Sequence, residues 1–310
     1  MKKAISIFLA IIMAFSCAAF AFAADESLAK PFDNSEYFTA GEYTLHYRTY
    51  EPKTAAKNQI MLLHGFGLST VSFEGLAKEY VSAGYKVVLV DLPNFGYSTR
   101  ETAAMELRPR EELVFELMQN LGGKWIIGGH SMGGGVAANL AIAYPQAVTG
   151  LVLIAPQTNS KMPTAINLLM RSQLVGGMFN LIIRLASRSP FIIRMMLNMS
   201  FSDKEFAKTY DTNRIADPLK IKGTGAGLAI MASHATAIDT EKFGQLTIPI
   251  VIVTAANDKV AVQSNIDALV NSAPSNLTTY EFEQGGHMVM EYNPQGVAEV
   301  TLGTIASCEA

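Results

Sequence analysis

Residues 129–133 read Gly-His-Ser-Met-Gly and place Ser131 between two glycines. An apolar run precedes this segment and an alanine-rich stretch follows it, so we predict a sharp strand-to-helix turn at the serine. The turn needs glycine on both sides because side chains there would collide with neighbouring elements. A serine presented in this way can act as a nucleophile, and the alternative role is a helix N-cap after a glycine-rich turn.

A serine hydroxyl is a poor nucleophile at neutral pH, so Ser131 needs a base within hydrogen-bond reach, and the base needs an orienting acid. His287 lies in a glycine-rich segment after the last predicted strand and before the last predicted helix, where an imidazole can reach the carboxyl edge of a sheet. Asp258 directly follows a predicted strand over 248–254. We therefore predict His287 as the base and Asp258 as the acid.

Other histidines and aspartates fit these roles less well. His46 lies in a predicted hairpin, His130 is the variable residue of the turn, and His234 ends an inserted segment. Asp239 precedes the strand and Asp267 lies inside a predicted helix, so both are predicted to be solvated.

A tetrahedral intermediate needs hydrogen-bond donors aimed at its oxyanion. We predict the backbone N–H of Met132, directly after the nucleophile, as one donor. Residues 64–67, His-Gly-Phe-Gly, follow the first predicted parallel strand, and the N–H of Phe66 is the predicted second donor. His64 is expected to brace this loop by hydrogen bonding, and the segment could otherwise be a simple tight turn.

Residues 133–138, Gly-Gly-Gly-Val-Ala-Ala, also satisfy a loose dinucleotide-binding pattern. Pro156 and Gln157 stand where that site needs an acid for the ribose, so we favour tight helix–sheet packing instead. No Cys/His cluster has metal-ligand spacing. We predict neither a metal nor a cofactor, since the proposed chemistry needs none.

The elements around these residues alternate between strands and helices. Alternating polar and apolar residues over 37–50 predict a hairpin, and compact apolar runs then predict buried parallel strands. These runs cover 59–63, 86–90, 124–127, 150–154, 248–254 and 277–282. Helices are predicted over 71–83, 109–121, 132–144, 262–272 and from 294 to about 306. The alternation predicts an α/β fold with a mostly parallel, doubly wound sheet.

The alternation stops over residues 158–247, which we interpret as a helical cap inserted between two parts of the core, 24–157 and 248–310. Seven of the 15 methionines lie between Met162 and Met231. Flexible thioethers suit a lipophilic pocket, although ordinary packing between cap helices explains any single one. The cap also contains three arginines, Arg184, Arg188 and Arg194. We interpret them as a solvated helix face rather than as a basic face that meets a membrane or an anionic ligand.

Residues 1–23 have the pattern of a signal peptide: two lysines, an apolar run and an Ala-Phe-Ala cleavage site. We therefore expect cleavage near Ala23/Ala24, export to the periplasm or medium, and no stable membrane span afterwards; lipid anchoring at Cys17 is a minor alternative. Cys308 is then the only cysteine left, so no internal disulfide can form. The chain's net charge of −3 argues against nucleic-acid binding.

The chain resembles the α/β-hydrolase superfamily. The family's nucleophile, acid and base fall on Ser131, Asp258 and His287 in the family's chain order, and its oxyanion motif falls on residues 64–67. Relatives with haloalkane dehalogenase or epoxide hydrolase activity carry an aspartate nucleophile, so Ser131 argues against both reactions.

A second motif carries the same resemblance. Residues 91–98, Asp-Leu-Pro-Asn-Phe-Gly-Tyr-Ser, are similar to the family's loop D-x-P-G-x-G-x-S, with Asn94 in place of a glycine. The replacement affects a turn and leaves the chemistry intact, and Asp91 is expected to cap the loop.

The predicted activity is hydrolysis of lipophilic carboxylic esters of small to medium size. One alternative keeps the triad and changes the substrate to a lipid monoester, a lactone or a C–C bond beside a carbonyl. Another is a ligand-binding protein on this fold without catalysis. The sequence predicts a small-molecule partner and leaves the oligomeric state open.

Overall fold

The computed structural model describes residues 30–157, 164–232, 237–261, 263–272 and 275–306. The chain divides into two units, residues 1–31 and residues 32–310, and only residues 30 and 31 of the first are described. The predicted signal peptide, both cysteines and His234 lie outside the described residues.

The described strands form one mixed sheet. They are β1 (Ser35–Ala40), β2 (Tyr43–Tyr50), β3 (Gln59–Leu63), β4 (Lys86–Val90), β5 (Trp125–His130), β6 (Val148–Ile154), β7 (Ile250–Ala255) and β8 (Leu277–Phe282). Their order is β1-β2-β4-β3-β5-β6-β7-β8. β1 and β2 pair antiparallel as a hairpin, β2 also pairs antiparallel with β4, and every other pairing is parallel.

The helices of the core alternate with the parallel strands. They are α1 (Glu74–Ser82), α2 (Arg110–Leu121), α3 (Met132–Ala143), α11 (Gln263–Asn271), α12 (Val289–Tyr292) and α13 (Pro294–Ala306). Between β6 and β7 lie α4 (Thr164–Met170), α5 (Gln173–Ala186), α6 (Pro190–Ser200), α7 (Lys204–Thr209), α8 (Asn213–Leu219), α9 (Thr224–Ala232) and α10 (Thr240–Gly244). We refer to residues 164–244 as the helical insertion.

The sheet is buried on both faces, as its continuous apolar strands require. In β3, Ile60 and Leu62 pack into one hydrophobic cluster, whereas Met61 and Leu63 pack into a second cluster. All four side chains are fully buried. Because successive side chains of a strand point to opposite faces, the two clusters cover opposite sides of the sheet.

The predicted fold class is confirmed: the structure has a mostly parallel sheet covered by helices on both faces. Among the described residues, no helix has both the length and the hydropathy needed to cross a membrane.

The fold brings four loops to one place. Parallel strands of a sheet end at a common carboxyl edge, and ligands of such sheets bind outside that edge. β3, β5, β7 and β8 run parallel and are followed by residues 64–67, Ser131, Asp258 and His287, respectively.

Candidate active site

Ser131 occupies a strained turn between β5 and α3. Its backbone has φ 51° and ψ −118°, in a region that residues with a side chain rarely adopt. The turn is held from both sides, because the Ser131 N–H donates to the Ile154 carbonyl at 2.9 Å and the Ser131 carbonyl accepts from Gln157 N at 3.0 Å. The Ser131 side chain does not cap α3, so the N-cap interpretation does not describe this serine.

Both glycines of the turn are required by close backbone approach. A Cβ on Gly129 would lie 2.2 Å from the Gly133 carbonyl oxygen. A Cβ on Gly133 would lie 2.1 Å from the carbonyl oxygen of Leu63 and 2.5 Å from that of His64. Any larger residue would push β5, α3 and the loop after β3 apart, and the serine would move with them.

His287 and Asp258 form a short hydrogen bond, with 2.7 Å between His287 Nδ1 and Asp258 Oδ2. Both side chains are 7% exposed. The other carboxylate oxygen, Oδ1, accepts the backbone N–H groups of Val260 at 2.7 Å and Ala261 at 2.9 Å. Since Oδ2 accepts the Nδ1 proton, the neutral ring has its free lone pair on Nε2.

Asp258 is held in its charged form. Burial by itself raises the pKa of this carboxyl, but the hydrogen bond and charge of His287, together with the two backbone donors, more than offset burial and leave the pKa below its ordinary value. Asp258 therefore stays ionised at neutral pH and can stabilise an imidazolium at His287.

His130 ties the base to the turn, a role that the sequence did not reveal. Its Nε2 donates to the carbonyl of His287 at 2.8 Å, and the two ring centroids lie 4.6 Å apart. Burial lowers the pKa of His130 well below its ordinary value, so the ring is neutral with its proton on Nε2. His287 is thereby held beside the residue that precedes Ser131.

The Ser131 hydroxyl makes no hydrogen bond to another described residue, His287 included. A serine–histidine hydrogen bond commonly tightens only when a substrate is bound. The structure thus joins Asp258 to His287 directly, and it places His287 next to the turn that carries the serine.

The loop after β3 packs against the nucleophile turn. A Cβ on Gly65 would lie 3.3 Å from Ser131 Cβ and 2.5 Å from His130 Nδ1. Hence only glycine allows this loop to lie so close to Ser131.

His64 fixes the orientation of that loop. Its Nδ1 donates to the Gly65 carbonyl at 2.7 Å, and its Nε2 accepts from Leu92 N at 3.0 Å. Burial lowers the pKa of His64, which keeps the ring neutral, as both contacts need. The Gly65 carbonyl also accepts from Leu68 N. In a trans peptide the N–H points opposite to the C=O, so the Phe66 N–H points away from these partners.

The backbone N–H groups of the two predicted oxyanion donors make no hydrogen bond to another described residue. Met132 is the first residue of α3, and the first N–H groups of a helix have no partner inside it. Phe66 has a side chain that is 55% exposed, and its ring packs edge-on against Phe95. The Met132 amide directly follows Ser131 in the sequence. The Phe66 amide follows Gly65, which packs against Ser131.

A second Ser-His-Asp chain is structural. His46 donates from Nδ1 to Asp91 Oδ2 at 2.7 Å, and its Nε2 lies 2.8 Å from Ser35 Oγ. Asp91 also accepts the backbone N–H groups of Thr70 and Tyr97, in line with the prediction that it caps a loop. The His46 and Asp91 side chains are inaccessible to solvent, so no substrate can reach this chain of contacts.

The helical insertion touches the loop of the candidate base. Ser202 Oγ accepts the Gly285 N–H at 2.9 Å. Gly286 has φ +64°, and a Cβ there would lie 2.6 Å from the Ser200 carbonyl oxygen. The Tyr210 hydroxyl donates to Glu291 at 3.0 Å, one helical turn beyond His287. The position of His287 therefore depends on the insertion as well as on the core.

Among the described residues, no group of three or more His, Cys, Asp or Glu side chains is arranged to hold a metal ion.

Known proteins resemble this chain in sequence and in fold. It is 36% identical over 138 residues to the abhydrolase domain-containing protein abhd-5.2 of Caenorhabditis elegans, a match that covers 41% of this chain and 29% of that protein. It is 32% identical over 101 residues to the pimeloyl-(acyl-carrier protein) methyl ester esterase of Edwardsiella ictaluri, which covers 33% of this chain and 37% of the esterase. The chain thus spans about a third of the length of these curated relatives.

The fold has solved counterparts and a matching family model. The enol-lactonase from Burkholderia xenovorans LB400 superimposes with a TM-score of 0.68 at 13% identity, over 87% of this chain and 100% of the lactonase. Residues 58–294 match the model of the alpha/beta hydrolase fold family. This chain belongs to the alpha/beta hydrolase fold family.

Proposed function

We propose that this protein hydrolyses lipophilic carboxylic esters through a covalent acyl intermediate on Ser131. The observation that carries the proposal is the 2.7 Å hydrogen bond between buried His287 and Asp258 beside the strained turn of Ser131. A purely structural role does not explain why a serine occupies this strained backbone conformation while its hydroxyl makes no capping hydrogen bond to α3.

The first half of the reaction forms the acyl-enzyme. Ser131 Oγ attacks the ester carbonyl carbon while its proton passes to His287 Nε2. The imidazolium is stabilised by the ionised Asp258. The carbonyl oxygen becomes an oxyanion, which accepts hydrogen bonds from the N–H groups of Phe66 and Met132. Collapse of this intermediate breaks the carbon–oxygen bond, and His287 returns the proton to the leaving alcohol.

The second half releases the acid. A water molecule attacks the acyl carbon, and His287 Nε2 takes its proton. The second tetrahedral intermediate uses the same oxyanion donors, and its collapse returns the proton to Ser131 Oγ. Water is the only co-reactant, and no metal or cofactor takes part in either half.

The insertion supports the choice of a lipophilic substrate. Its helices are rich in leucine, isoleucine and methionine, and Phe66 exposes an aromatic ring beside the proposed oxyanion hole. The names of related proteins include a methyl ester esterase and an enol-lactonase, so esters are the first candidates and lactones the second.

A series of chromogenic esters with increasing acyl-chain length tests the proposal. We expect turnover that rises from short to medium chains, and loss of turnover in Ser131→Ala. The matched control is Ser82→Ala, an exchange at the end of α1. Lactone turnover without ester turnover would move the substrate class to lactones. Absence of turnover in a folded protein that still binds the esters would favour a non-catalytic binding protein.

We also propose that the chain is exported after cleavage near Ala23/Ala24. The support is the pattern of residues 1–23, two lysines followed by an apolar run and a small-residue site. N-terminal sequencing of the protein recovered from a bacterial periplasm tests this proposal. A start at Met1 in that fraction, or recovery only from the cytoplasm, would contradict it.

A further inference from the structure

Exposed apolar side chains are concentrated in one part of the described chain. Fourteen large hydrophobic side chains are exposed among the described residues, and ten of them lie between residues 166 and 199. The ten are Ile166, Leu168, Leu169, Leu174, Ile182, Leu185, Phe191, Met195, Met196 and Met199. Single exposed apolar residues are ordinary on protein surfaces, whereas such a concentration marks an interaction site.

Helix α6 shows that this exposure belongs to a whole face. Ile193 and Leu197 are 1% exposed and form the inner face. Phe191, Met195 and Met199 follow each other at intervals of four residues, and their side chains are 77%, 49% and 57% exposed. A surface helix normally turns polar residues outward, whereas five of the six exposed residues of α6 are apolar and only Asn198 is polar.

Helix α5 has the same character. Leu174 and Leu185 are eleven residues apart, which at 3.6 residues per turn places them within about 20° of each other on the helix. Their side chains are 77% and 49% exposed. Gly176 lies on the inner side, where it packs against Ala226 of α9. Arg184 of α5 and Arg188, two residues beyond the end of α5, are also exposed.

The charge of this region is opposite to that of the whole chain. No Asp or Glu occurs between Glu116 and Asp203, although the chain has a net charge of −3. Within residues 164–202 the charged residues are four arginines: Arg171, Arg184, Arg188 and Arg194. Arg194 donates to the carbonyl of Tyr210 inside the insertion. Arg184 and Arg188 are exposed, whereas Arg171 is half-buried.

We propose that the outer faces of α5 and α6 dock on the surface of an anionic lipid bilayer. Apolar side chains flanked by arginines and free of acids fit the boundary between acyl chains and anionic headgroups. α5 has 14 residues, so it is about 21 Å long and shorter than the hydrocarbon core of about 30 Å. Both helices therefore fit a position in the plane of the membrane surface.

Docking in this way would bring the candidate active site close to lipid. The end of α6 contacts the loop of His287, because the carbonyl oxygen of Ser200 would lie 2.6 Å from a Cβ on Gly286. A lipophilic substrate dissolved in the bilayer would then reach the site without crossing water. The docking itself goes beyond the proposed hydrolysis and does not depend on it.

Co-sedimentation with vesicles tests the proposal without any turnover. The purified chain is mixed with vesicles of phosphatidylglycerol and phosphatidylcholine, or of phosphatidylcholine alone. We expect stronger binding to the anionic vesicles. Phe191→Gln/Met195→Gln/Met199→Gln should weaken binding about 1,000-fold, since burial of each of the three side chains is worth about tenfold. Arg184→Gln/Arg188→Gln should weaken binding to anionic vesicles about 30-fold and leave binding to neutral ones unchanged.

Matched controls separate this surface from other apolar parts of the chain. Val270→Gln/Tyr280→Gln removes two exposed apolar side chains outside the insertion and should bind like wild type. The variants differ only at the named positions, so any contribution of the apolar N-terminal run, whether cleaved or retained, is common to all of them. The melting temperature of each variant shows that it is folded.

Two outcomes would overturn the proposal. Equal binding of wild type and the triple α6 variant to anionic vesicles would show that this face does not meet lipid. Light scattering could instead reveal a dimer that the triple variant dissociates, together with no vesicle binding by wild type. The face would then be an interface between two copies of this chain.

Discussion

Asp258→Asn changes one atom of the proposed triad and is expected to reverse the tautomer of His287. The asparagine side chain has one oxygen and one NH2 group, which must occupy the two positions that Oδ1 and Oδ2 of Asp258 occupy in wild type. Two backbone N–H groups, those of Val260 and Ala261, point at the present Oδ1 position from 2.7 and 2.9 Å. Placing NH2 there would break two hydrogen bonds at a cost of about 1 kcal/mol or more each. The amide oxygen therefore takes that position, and the NH2 group faces His287 Nδ1.

An NH2 group at that position donates to Nδ1, so the imidazole must carry its proton on Nε2. Nε2 then cannot accept the Ser131 proton, and the imidazolium also loses its negative partner. We expect kcat to fall about 10⁴-fold, which corresponds to about 5 kcal/mol of transition-state stabilisation.

Steady-state hydrolysis of a chromogenic ester measures this effect, and the melting temperature verifies the fold. Asp267→Asn is the matched control, because Asp267 lies on α11, outside the proposed triad, and accepts a hydrogen bond from the exposed Gln263 side chain. A folded Asp258→Asn protein with kcat within about tenfold of wild type would contradict the predicted change of tautomer at His287.

Three further predictions concern residues around the site. His64→Ala should lower kcat about 10²-fold to 10³-fold with little change in KM, because the peptide that carries the Phe66 N–H loses its anchor; unchanged kcat would contradict this role. Gly286→Ala should lower both kcat and the melting temperature, since its Cβ would lie 2.6 Å from the Ser200 carbonyl oxygen, whereas Gly303→Ala, with open space, should lower neither. Burial raises the pKa of Glu291 from 4.5 to about 7. This carboxyl therefore lowers the free energy of unfolding progressively as pH rises from about 4.5 to about 7, and the free energy stays lowered at higher pH. Denaturant titration should show that Glu291→Gln has a higher free energy of unfolding than wild type, and that the difference increases across this pH interval to on the order of 1–3 kcal/mol. A difference that does not change with pH would contradict the assignment.

The buried strands could be predicted from the sequence because each is a short apolar run between turn residues. Predicted and observed bounds coincide for β3, β4 and β8. The sequence predicts β5 over 124–127, because Gly128 and Gly129 end the apolar run. In the structure the strand continues to His130. These glycines nevertheless pair with Val152 and Leu153 of β6, so the sheet and not local propensity determines the end of the strand.

The start of α1 shows a similar limit. The sequence predicts a helix from residue 71, but a 3₁₀ turn over Thr70–Phe73 precedes α1. The Thr70 N–H donates to Asp91 Oδ1 at 2.7 Å, a contact between segments 21 residues apart. Local periodicity carries no information about such a contact.

The predicted base and acid lie together in the structure. Their proximity could be predicted, because both residues follow parallel strands and the carboxyl ends of such strands share one edge of the sheet. The contacts that hold the pair were not predictable. His130 occupies a variable position of its motif, and only the fold brings its Nε2 to the His287 carbonyl. Likewise, Ser202 reaches the Gly285 N–H across 83 residues of sequence.

Labelling with a fluorophosphonate tests the central claim most directly, because this reagent forms a covalent adduct with a serine only when that serine is activated as a nucleophile. We predict one adduct per chain, located at Ser131 by mass spectrometry, with fluoride as the leaving group. Labelling should disappear in Ser131→Ala and become much slower in His287→Ala. Folded wild-type protein that stays unlabelled, or that carries the adduct on another serine, would contradict the account.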